Sequence, residues 1–572
     1  MADDDAIIRG TPLDEAHWVG PLTLPSFLHD VTTRHAEREA LVFDDPLREG
    51  ATVRWTYADL AREARRVTKA LLAASLAKGA RVGILMSNRP EAVAAFFGAT
   101  AAGAVVIPMS TFSTPAELAH LISHSDTAVL LIQSRMRQRD FVADVVALCP
   151  EAGAAPADGE PAAVWSPAFP SLRRVVALGL DAPAGSVVPW EAFLEAGNPV
   201  GDDLARALGA SIHPSDEGLI IYSSGTTSLP KGVLHNHRAP TLQFWNQAHN
   251  FGRHEESRLW TALPMFWTAG LCTAMGATLA AGGCWVMQEV FDPGQALALI
   301  ARERITEAYA LPHQTAAMEE HPDWAGADLS SLRSVYGTMA FARHPTVTNP
   351  DPTWRFPVGY GLSETCANVS SHLSTAPLEE QRASAGPLLP GNELRVVDPD
   401  TGRSLGPGEN GELAVKGPTL MEHYVKVSRE ECFDEQGFFH TGDAGFYDEQ
   451  GNLHWTGRRT EMIKTGMANV SPSELEVTMR ACRPVKLARV IGMPDPRLGQ
   501  VVVMCVTVKE GESTSEEEIK AFLRERVAAY KVPKRVLFFE EGEIPMTSSA
   551  TKVRDPELLA LVEAKLAEQP SA

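Results

Sequence analysis

Short apolar runs alternate with helical stretches along most of this chain, and that alternation limits its fold more than any other feature. Residues 81–86 have the pattern of a buried strand, residues 90–102 that of a helix, and residues 105–108 that of the next strand. The same alternation continues at residues 128–132 and 174–178. Because such strands pair beneath a layer of helices, the pattern predicts an α/β fold.

The pattern changes near residue 455, which predicts a second domain. Beyond it we expect a helix at 472–479, strands at 487–491 and 501–508, and a charged helix at 515–529. These elements form a unit of about 110 residues, within the usual size range of a domain. We place the hinge at Gly457–Glu461 (residues 457–461), between a large N-terminal part (1–456) and a small C-terminal part (462–572).

Composition excludes several classes of protein. The 572 residues carry a formal net charge of −21 without a dense Lys/Arg cluster, so a nucleic-acid partner is not expected. Seven scattered cysteines without a CxxC pair indicate reduced thiols. The longest apolar run, 93–109, contains two glycines and ends at a proline, which makes it too short to cross a membrane. With its acidic N-terminus, the chain is expected to be cytoplasmic.

A strand followed by hydroxyl groups predicts a phosphate site. Residues 220–232 read IIYSSGTTSLPKG, an apolar run leading into Ser223, Ser224, Gly225, Thr226, Thr227 and then Lys231. Hydroxyls, glycine N–H groups and one ammonium together suit phosphate oxygens. A Ser/Gly-rich linker is the alternative, but a linker needs neither the buried strand nor the lysine. The segment is not a Walker loop, because Pro230 stands where that motif has glycine.

The segment PVGYGLSET, residues 357–365, is a second candidate site. Tyr360 offers a flat ring for a purine, Ser363 a hydroxyl for phosphate, and Glu364 a hard oxygen for Mg²⁺. A serine-hydrolase elbow is excluded because the serine is followed by Glu364 and Thr365. Taken alone, the segment could be an ordinary strand and turn.

Three weaker signals remain. Asp443, in FFHTGD, could accept hydrogen bonds from ribose hydroxyls, and Arg458 could fix the same sugar or neutralise phosphate, but this segment by itself favours a hairpin with a surface ion pair. Lys552 lies in a polar loop that could enter a cleft, and a solvated lysine is the ordinary interpretation. His235 and His237 form an HxH pair without a third ligand, so a metal site there is not favoured.

The order and spacing of these segments resemble the acyl-adenylate-forming superfamily of AMP-binding enzymes. That family includes acyl-coenzyme A synthetases, beetle luciferases and peptide-synthetase adenylation domains. The resemblance covers nearly the whole chain, through WTYADL (55–60), GAVVIP (103–108), YSSGTTSLPKG (222–232), LPMFWTAG (263–270), YGLSET (360–365), HTGD (440–443), GR (457–458), VIGMPDP (490–496), YKVP (530–533) and Lys552. It implies a large N-terminal domain of several subdomains with mixed sheets, and a small, mobile α+β lid domain.

The resemblance also implies a reaction. ATP and a carboxylic acid give acyl-AMP and pyrophosphate, and coenzyme A then takes the acyl group, with Mg²⁺ as cofactor. Lys552, Glu364 and Thr226 are the implied catalytic residues. The implied nucleotide site consists of Ser223, Ser224, Gly225, Thr226, Thr227, Lys231, Gly337, Tyr360, Gly361, Ser363, Asp443, Arg458 and Lys552. The implied acid pocket consists of Trp267, Gly270, Tyr336, Thr338 and Leu362.

Uncharged residues line that pocket, so we expect a fatty, alicyclic or aromatic acid. Phe266 is followed by Trp267, where amino-acid-activating domains place an aspartate, which makes an amino acid a poor substrate. A ligase that loads a carrier protein and a non-catalytic nucleotide-binding relative are the alternatives. Thr460, Met467 and an extra residue before Lys552 depart from the family pattern. No membrane partner is expected, and the protein is a monomer or a homodimer.

Overall fold

A computed structural model describes residues 7–154, 163–223, 230–334, 340–347, 356–458, 463–465, 468–495, 499–527, 531–540, 542–546, 553 and 555–568. The strands in chain order are β1 (Ile7–Arg9), β2 (Glu39–Asp45), β3 (Ala51–Thr56), β4 (Arg81–Leu85), β5 (Val105–Pro108), β6 (Val129–Gln133), β7 (Arg135–Met136), β8 (Arg139–Asp140), β9 (Arg174–Leu178), β10 (Val187–Pro189), β11 (Glu217–Ser223), β12 (Lys231–Asn236), β13 (Arg258–Thr261), β14 (Cys284–Met287), β15 (Glu307–Ala308), β16 (Gly359–Leu362), β17 (Ala367–Ser371), β18 (Glu393–Val397), β19 (Gly411–Lys416), β20 (His423–Tyr424), β21 (Phe439–Tyr447), β22 (Leu453–Arg458), β23 (Ile463–Thr465), β24 (Ala468–Val470), β25 (Val485–Asp495), β26 (Gly499–Val508) and β27 (Arg535–Phe538).

The helices in chain order are α1 (Leu24–Arg34), α2 (Tyr57–Ala73), α3 (Pro90–Ala101), α4 (Pro115–His124), α5 (Phe141–Leu148), α6 (Pro150–Gly153), α7 (Trp190–Ala196), α8 (Asp202–Ala210), α9 (Arg238–Asn250), α10 (Ala277–Ala280), α11 (Pro293–Arg302), α12 (Pro312–Glu319), α13 (Leu378–Ala383), α14 (Arg429–Cys432), α15 (Pro472–Met479), α16 (Glu516–Arg524) and α17 (Asp555–Glu568). A π-helical segment, Ala269–Gly276, precedes α10.

Four main sheets organise these elements. Sheet I has the strand order β10-β9-β6-β4-β5-β11-β12-β20, sheet II β15-β13-β14-β2-β3, and sheet III β1-β18-β19-β21-β22. Sheet IV contains β24-β23-β26-β25, with β27 paired to β26. Sheet I is parallel from β10 to β11 and antiparallel at β12 and β20, whereas sheet III is antiparallel throughout. The predicted α/β class with mixed sheets is therefore confirmed.

Helix α3 explains how the core forms. It is apolar on all sides and nearly every residue in it is buried, which is typical of a helix inside a core rather than on a surface. It belongs to one apolar cluster with residues of β4 in sheet I and of β2 and β14 in sheet II. Helices α4 and α5 cover the other face of sheet I, and α11 and α12 that of sheet II.

The C-terminal elements form separate apolar clusters around sheet IV. Helix α15 has the bounds that the sequence predicted, but α16 ends at Arg524, earlier than the predicted residue 529. After Arg524 the chain turns through the exposed Glu525 and Arg526, and the partly buried Val527 packs against the same cluster as Leu523. Among the described residues, none of the helices combines the length and apolarity that crossing a bilayer requires.

Candidate active site

The first predicted segment forms a hairpin at the carboxyl end of β11. Ligands of open α/β sheets bind at the carboxyl ends of parallel strands, and β11 is the last strand of the parallel part of sheet I. Ser223 ends β11 and lies directly opposite Lys231, the first residue of β12. Residues 224–229, which include Ser224, Gly225, Thr226 and Thr227, lie outside the described residues. The described strand ends thus place a hydroxyl and a lysine side by side.

The second predicted segment is a tight hairpin of β16 and β17. Cys366, in the connecting turn, has a φ of 58°, in the left-handed region. The Thr365 hydroxyl accepts a hydrogen bond from the Leu362 N–H at 2.9 Å and closes the turn. Gly361 lies so close to the facing strand that a Cβ there would be 1.7 Å from the Ala367 carbonyl oxygen. The glycine at 361 is therefore required by the close approach of the two strands.

Contacts from other elements hold the Ser363–Glu364 backbone. His235 Nε2 lies 2.8 Å from the Ser363 carbonyl oxygen, and the Met421 N–H donates to the Glu364 carbonyl at 2.8 Å. Burial lowers the pKa of His235 to about 4, so the imidazole is neutral and its Nε2–H is the donor. His235 thus orients the predicted phosphate and metal residues, a role for which the HxH pattern gave no signal.

The Glu364 carboxylate is half-buried and held by a tyrosine. Its Oε1 accepts a hydrogen bond of 2.7 Å from the Tyr424 hydroxyl. The Lys231 ammonium lies 5.3 Å from the centroid of the same tyrosine ring. Glu364 and Lys231 come from different predicted segments, and Tyr424 brings them together. Sequence reasoning missed Tyr424, because the segment around it has no motif that points to Glu364 or Lys231.

Asp443 is 2% exposed and lies in β21, opposite Arg458 of β22. The Tyr360 hydroxyl donates to Asp443 Oδ2 at 2.6 Å, and Arg458 Nε lies 2.9 Å from Oδ1. Burial raises the pKa of Asp443, whereas the Tyr360 hydroxyl and the Arg458 guanidinium act in the opposite direction. Oδ1 is buried and, among the described residues, accepts no hydrogen bond of good geometry, so it keeps acceptor capacity for a ligand hydroxyl.

The hydrogen bond to Asp443 and the surrounding apolar side chains fix the position of the Tyr360 ring. The ring is 7% exposed and packs in the apolar cluster of sheet III. The hydroxyl contact joins two segments that are 83 residues apart in the chain. Stacking of this ring on adenine stays a prediction, as does the contact of Arg458 with a nucleotide.

The predicted acid pocket is partly described. Trp267 is half-buried, and its ring centroid lies 5.6 Å from that of Phe266 and 6.2 Å from that of Phe112. Gly270 packs so tightly that a Cβ would lie 2.0 Å from the Pro264 carbonyl oxygen. Leu362 packs at the edge of the sheet III cluster. Tyr336, Gly337 and Thr338 lie outside the described residues.

Two residues that sequence reasoning missed orient this region. The Asn88 amide donates to the Leu263 carbonyl at 2.9 Å and accepts from the Met265 N–H at 3.0 Å, which fixes the turn before Phe266. His120 Nε2 lies 3.0 Å from the Pro230 carbonyl oxygen, at the end of the phosphate segment. Neither residue is part of a local motif that points to these contacts, so sequence reasoning did not identify them.

Metal binding in the described part of the chain would depend on few protein oxygens. No group of three or more His, Cys, Asp or Glu side chains there could hold an ion. Mg²⁺ is commonly bound by one or two carboxylates together with substrate phosphates. The single carboxylate of Glu364, near the hydroxyl and lysine of the phosphate hairpin, fits that mode. Lys552, Thr460 and Met467 lie outside the described residues.

Comparison with known proteins agrees with this geometry. Residues 28–425 match the AMP-binding enzyme family, and residues 474–551 match the AMP-binding enzyme C-terminal domain. An indoleacetate–CoA ligase of Aromatoleum aromaticum is 31% identical over 518 residues, which cover 89% of this chain and 94% of that protein. A feruloyl-CoA synthase of an Amycolatopsis species is 32% identical over 507 residues, covering 88% and 93%.

A solved structure has the same fold. The anthranilate CoA ligase AuaEII, in complex with anthranoyl-AMP, superposes with a TM-score of 0.77 at 24% identity, over 96% of this chain and 99% of that one. The resemblance of the segments to AMP-binding enzymes is confirmed by the family match, which extends over most of the chain. This chain belongs to the AMP-binding enzyme family.

Proposed function

We propose that the protein is an ATP-dependent carboxylic acid–CoA ligase that forms AMP. The observation that carries this proposal is the meeting of three distant segments at one place. Lys231 lies over Tyr424, Tyr424 binds Glu364, and the hairpin that carries Glu364 also carries Tyr360, which binds Asp443. The phosphate, metal and ribose residues are thus linked by direct contacts.

The first half-reaction joins two anions. An oxygen of the acid attacks the α-phosphorus of ATP, the bond to the bridging oxygen breaks, and pyrophosphate leaves. The barrier depends on charge neutralisation and alignment. Lys231 and Ser223 face the phosphates, and Glu364 would hold Mg²⁺, which neutralises phosphate charge. Asp443 anchors the ribose, which keeps the α-phosphorus at a constant distance from the acid pocket.

The second half-reaction transfers the acyl group. The sulfur of coenzyme A, after losing its proton, attacks the acyl carbon, and the bond to the AMP phosphate oxygen breaks. We assign the hinge to residues 457–461, between domains 1–456 and 462–572. The position of two strands supports this boundary, since β22 ends at Arg458 in sheet III and β23 begins at Ile463 in sheet IV. Lys552 acts in the first half-reaction from the smaller domain.

The acid has an apolar, preferably aromatic, group. Phe112, Phe266 and Trp267 form a group of three contacting rings in the predicted pocket. Such rings favour edge-to-face or stacked contacts with another flat ring. Relatives named for indoleacetate and feruloyl substrates agree with this class. Fatty and alicyclic acids belong to the same proposed substrate class, because their side groups are also apolar.

The decisive experiment incubates the protein with ATP, Mg²⁺ and a panel of aromatic, fatty and alicyclic acids, with and without coenzyme A. We expect one mole of AMP and one of acyl-CoA for each mole of pyrophosphate, and the highest kcat/KM with an aromatic acid. Pyrophosphate release without acyl-CoA formation would favour a carrier-protein ligase. No pyrophosphate with any acid would favour a non-catalytic nucleotide-binding protein.

A further inference from the structure

Tyr424 is placed to act on two site residues at once. It lies in β20, the edge strand of sheet I, where it pairs with Val233 of β12. Its hydroxyl donates to Glu364 Oε1 at 2.7 Å. The Lys231 ammonium lies 5.3 Å from its ring centroid, within the range of a cation–π contact. One side chain therefore contacts both the predicted metal ligand and the predicted phosphate lysine.

The ring itself is held from a third element. Phe439, in the strand that carries Asp443, packs edge-on against Tyr424 with ring centroids 6.4 Å apart. Tyr424 is half-buried, so the ring has limited freedom to move. A carboxylate only accepts hydrogen bonds, so the Tyr424 hydroxyl is the donor in its contact with Glu364.

Glutamate and lysine have long side chains that lose considerable rotamer entropy when ordered. A side chain that fixes both before ATP arrives removes that cost from binding. The hydrogen bond occupies one of about four lone-pair positions of the Glu364 carboxylate, so the carboxylate can still bind a cation. The contact therefore orients Glu364 without blocking it.

We propose that Tyr424 is a positioning residue of the active site, whose hydroxyl aligns the Glu364 carboxylate for Mg²⁺ and whose ring aligns Lys231 for the ATP phosphates. This inference rests on the proposed function, because it assumes that Glu364 is the metal ligand. It predicts separable effects of the hydroxyl and of the ring. Loss of the hydroxyl should reduce the gain in nucleotide affinity that Mg²⁺ provides. Loss of the ring should reduce the nucleotide affinity that remains without Mg²⁺.

Two variants separate these effects. Tyr424→Phe keeps the ring and removes the hydroxyl, whereas Tyr424→Leu removes both. Tyr447→Phe is the matched control, since Tyr447 is buried in the sheet III cluster and donates only to the Leu405 carbonyl, at 3.3 Å, among the described contacts. Thermal denaturation of each variant first establishes that it is folded.

The measurement is the affinity for a non-hydrolysable ATP analogue and for AMP, each in Mg²⁺ and in EDTA. Tyr424→Phe should weaken binding of the analogue about tenfold in Mg²⁺, as expected for one hydrogen bond to a charged group, and leave its affinity in EDTA unchanged. Tyr424→Leu should also weaken binding of the analogue in EDTA, by about two- to fivefold, through loss of the cation–π contact. AMP affinity and the Tyr447→Phe control should match the wild-type protein.

The outcomes distinguish this inference from the proposed function. If Mg²⁺ does not increase the affinity of the wild-type protein for the analogue, the assignment of Glu364 fails, and the proposed metal site fails with it. If wild-type binding depends on Mg²⁺ and Tyr424→Phe keeps that dependence, only the role of Tyr424 is wrong. An equal loss of AMP and analogue affinity in Tyr424→Phe would mean that Tyr424 merely supports the fold, and would also overturn the inference.

Discussion

The buried carboxylate of Asp443 is held by two neighbouring side chains. Its Oδ2 receives the Tyr360 hydroxyl, while Oδ1 faces the Arg458 guanidinium, whose side chain is about half-exposed. A buried charge is tolerated only when it is paired or hydrogen-bonded. The remaining acceptor capacity of Oδ1 is what a ribose hydroxyl would use.

Asp443→Ala should weaken ATP binding by about tenfold or more, because hydrogen bonds to charged groups contribute roughly 1.5–3 kcal/mol each. The ranking of acids by kcat/KM should not change, since the ribose contact is remote from the acid pocket. Calorimetric titration with ATP and an acid panel test both statements. Tyr360→Phe is the control for loss of the Asp443–Tyr360 contact alone. A changed acid ranking at unchanged ATP affinity would contradict the assignment.

Trp267→Ala should admit bulkier acids and lower the affinity for the native acid. The indole is half-buried against Phe112 and Phe266, so its removal leaves space beside two rings. The measurement is kcat/KM over a series of ring sizes and chain lengths. Trp55→Ala removes a half-buried indole elsewhere, packed against the core around α3, and should lower stability without changing the preference. An unchanged profile for Trp267→Ala would place that residue in the core only.

At the scale of elements, the hairpin of β16 and β17 is held in place by hydrogen bonds from neighbouring helical segments. The Gln243 amide donates to the carbonyl oxygens of Thr365 and Asn368, and the Cys272 thiol donates to that of Cys366. Helix α9 and the π-helical segment therefore bind the back of the hairpin. Unusual π-helical turns often occur at functional sites, and this one joins Gly270 of the predicted acid pocket to the hairpin that carries Glu364.

The contact between His235 and the hairpin of β16 and β17 makes the stability of the folded protein depend on pH. In the unfolded chain a histidine has a pKa of about 6.5, whereas burial lowers that of His235 in the folded protein to about 4. The unfolded state therefore binds the proton first, so stability is complete above pH ~6.5 and falls as the pH falls towards ~4, by about 3 kcal/mol for this group.

Replacement by glutamine tests this dependence. His235→Gln can still donate to the Ser363 carbonyl but cannot take up a proton. Between pH 7 and 4.5 its urea denaturation midpoint should fall less than that of the wild-type protein. Part of the slope should persist, because burial also lowers the pKa of His237 to about 4. Identical slopes in the two proteins would show that His235 does not titrate with folding.

At the scale of the whole molecule, the apolar clusters around sheets I and III are separate from those around sheet IV. The described residues of the predicted nucleotide site lie on sheets I and III and on the hairpin of β16 and β17, and the clusters of sheet IV contain only residues beyond 462. All seven cysteines are free thiols, as the sequence predicted, and six of them are buried. Burial raises the pKa of Cys284 and of Cys505 to about 12, so both thiols stay protonated inside their domains.

Lys552→Ala tests the proposed division of labour between domains. Adenylate formation should slow by about 10²–10³-fold, the usual effect of losing one preorganised contact to the transition state. Thioester formation from supplied acyl-adenylate should continue at the wild-type rate, because that step does not need the lysine. Measuring both half-reactions separately provides the internal control. Wild-type rates in both would identify Lys552 as an ordinary surface lysine.

The sequence alone determined the α/β class, the family and many element positions. Strand β5 and helix α15 have the predicted bounds, and α3 differs by one residue. These features depend on the period of apolar residues and on side-chain type, which are local properties of the chain. The prediction that Lys231, Glu364 and Asp443 are site residues has the same local basis, since each lies in a distinctive short segment.

Only the tertiary structure decided which of these residues meet. The Tyr360–Asp443 hydrogen bond, the position of Tyr424 between Lys231 and Glu364, and the packing of Phe112 on Trp267 all join residues distant in sequence. Such contacts depend on strand pairing and on how the sheets pack, and no local pattern encodes either. The end of α16 at Arg524 was also not encoded locally, since Val527 beyond it packs against a cluster of sheet IV, which is a tertiary contact.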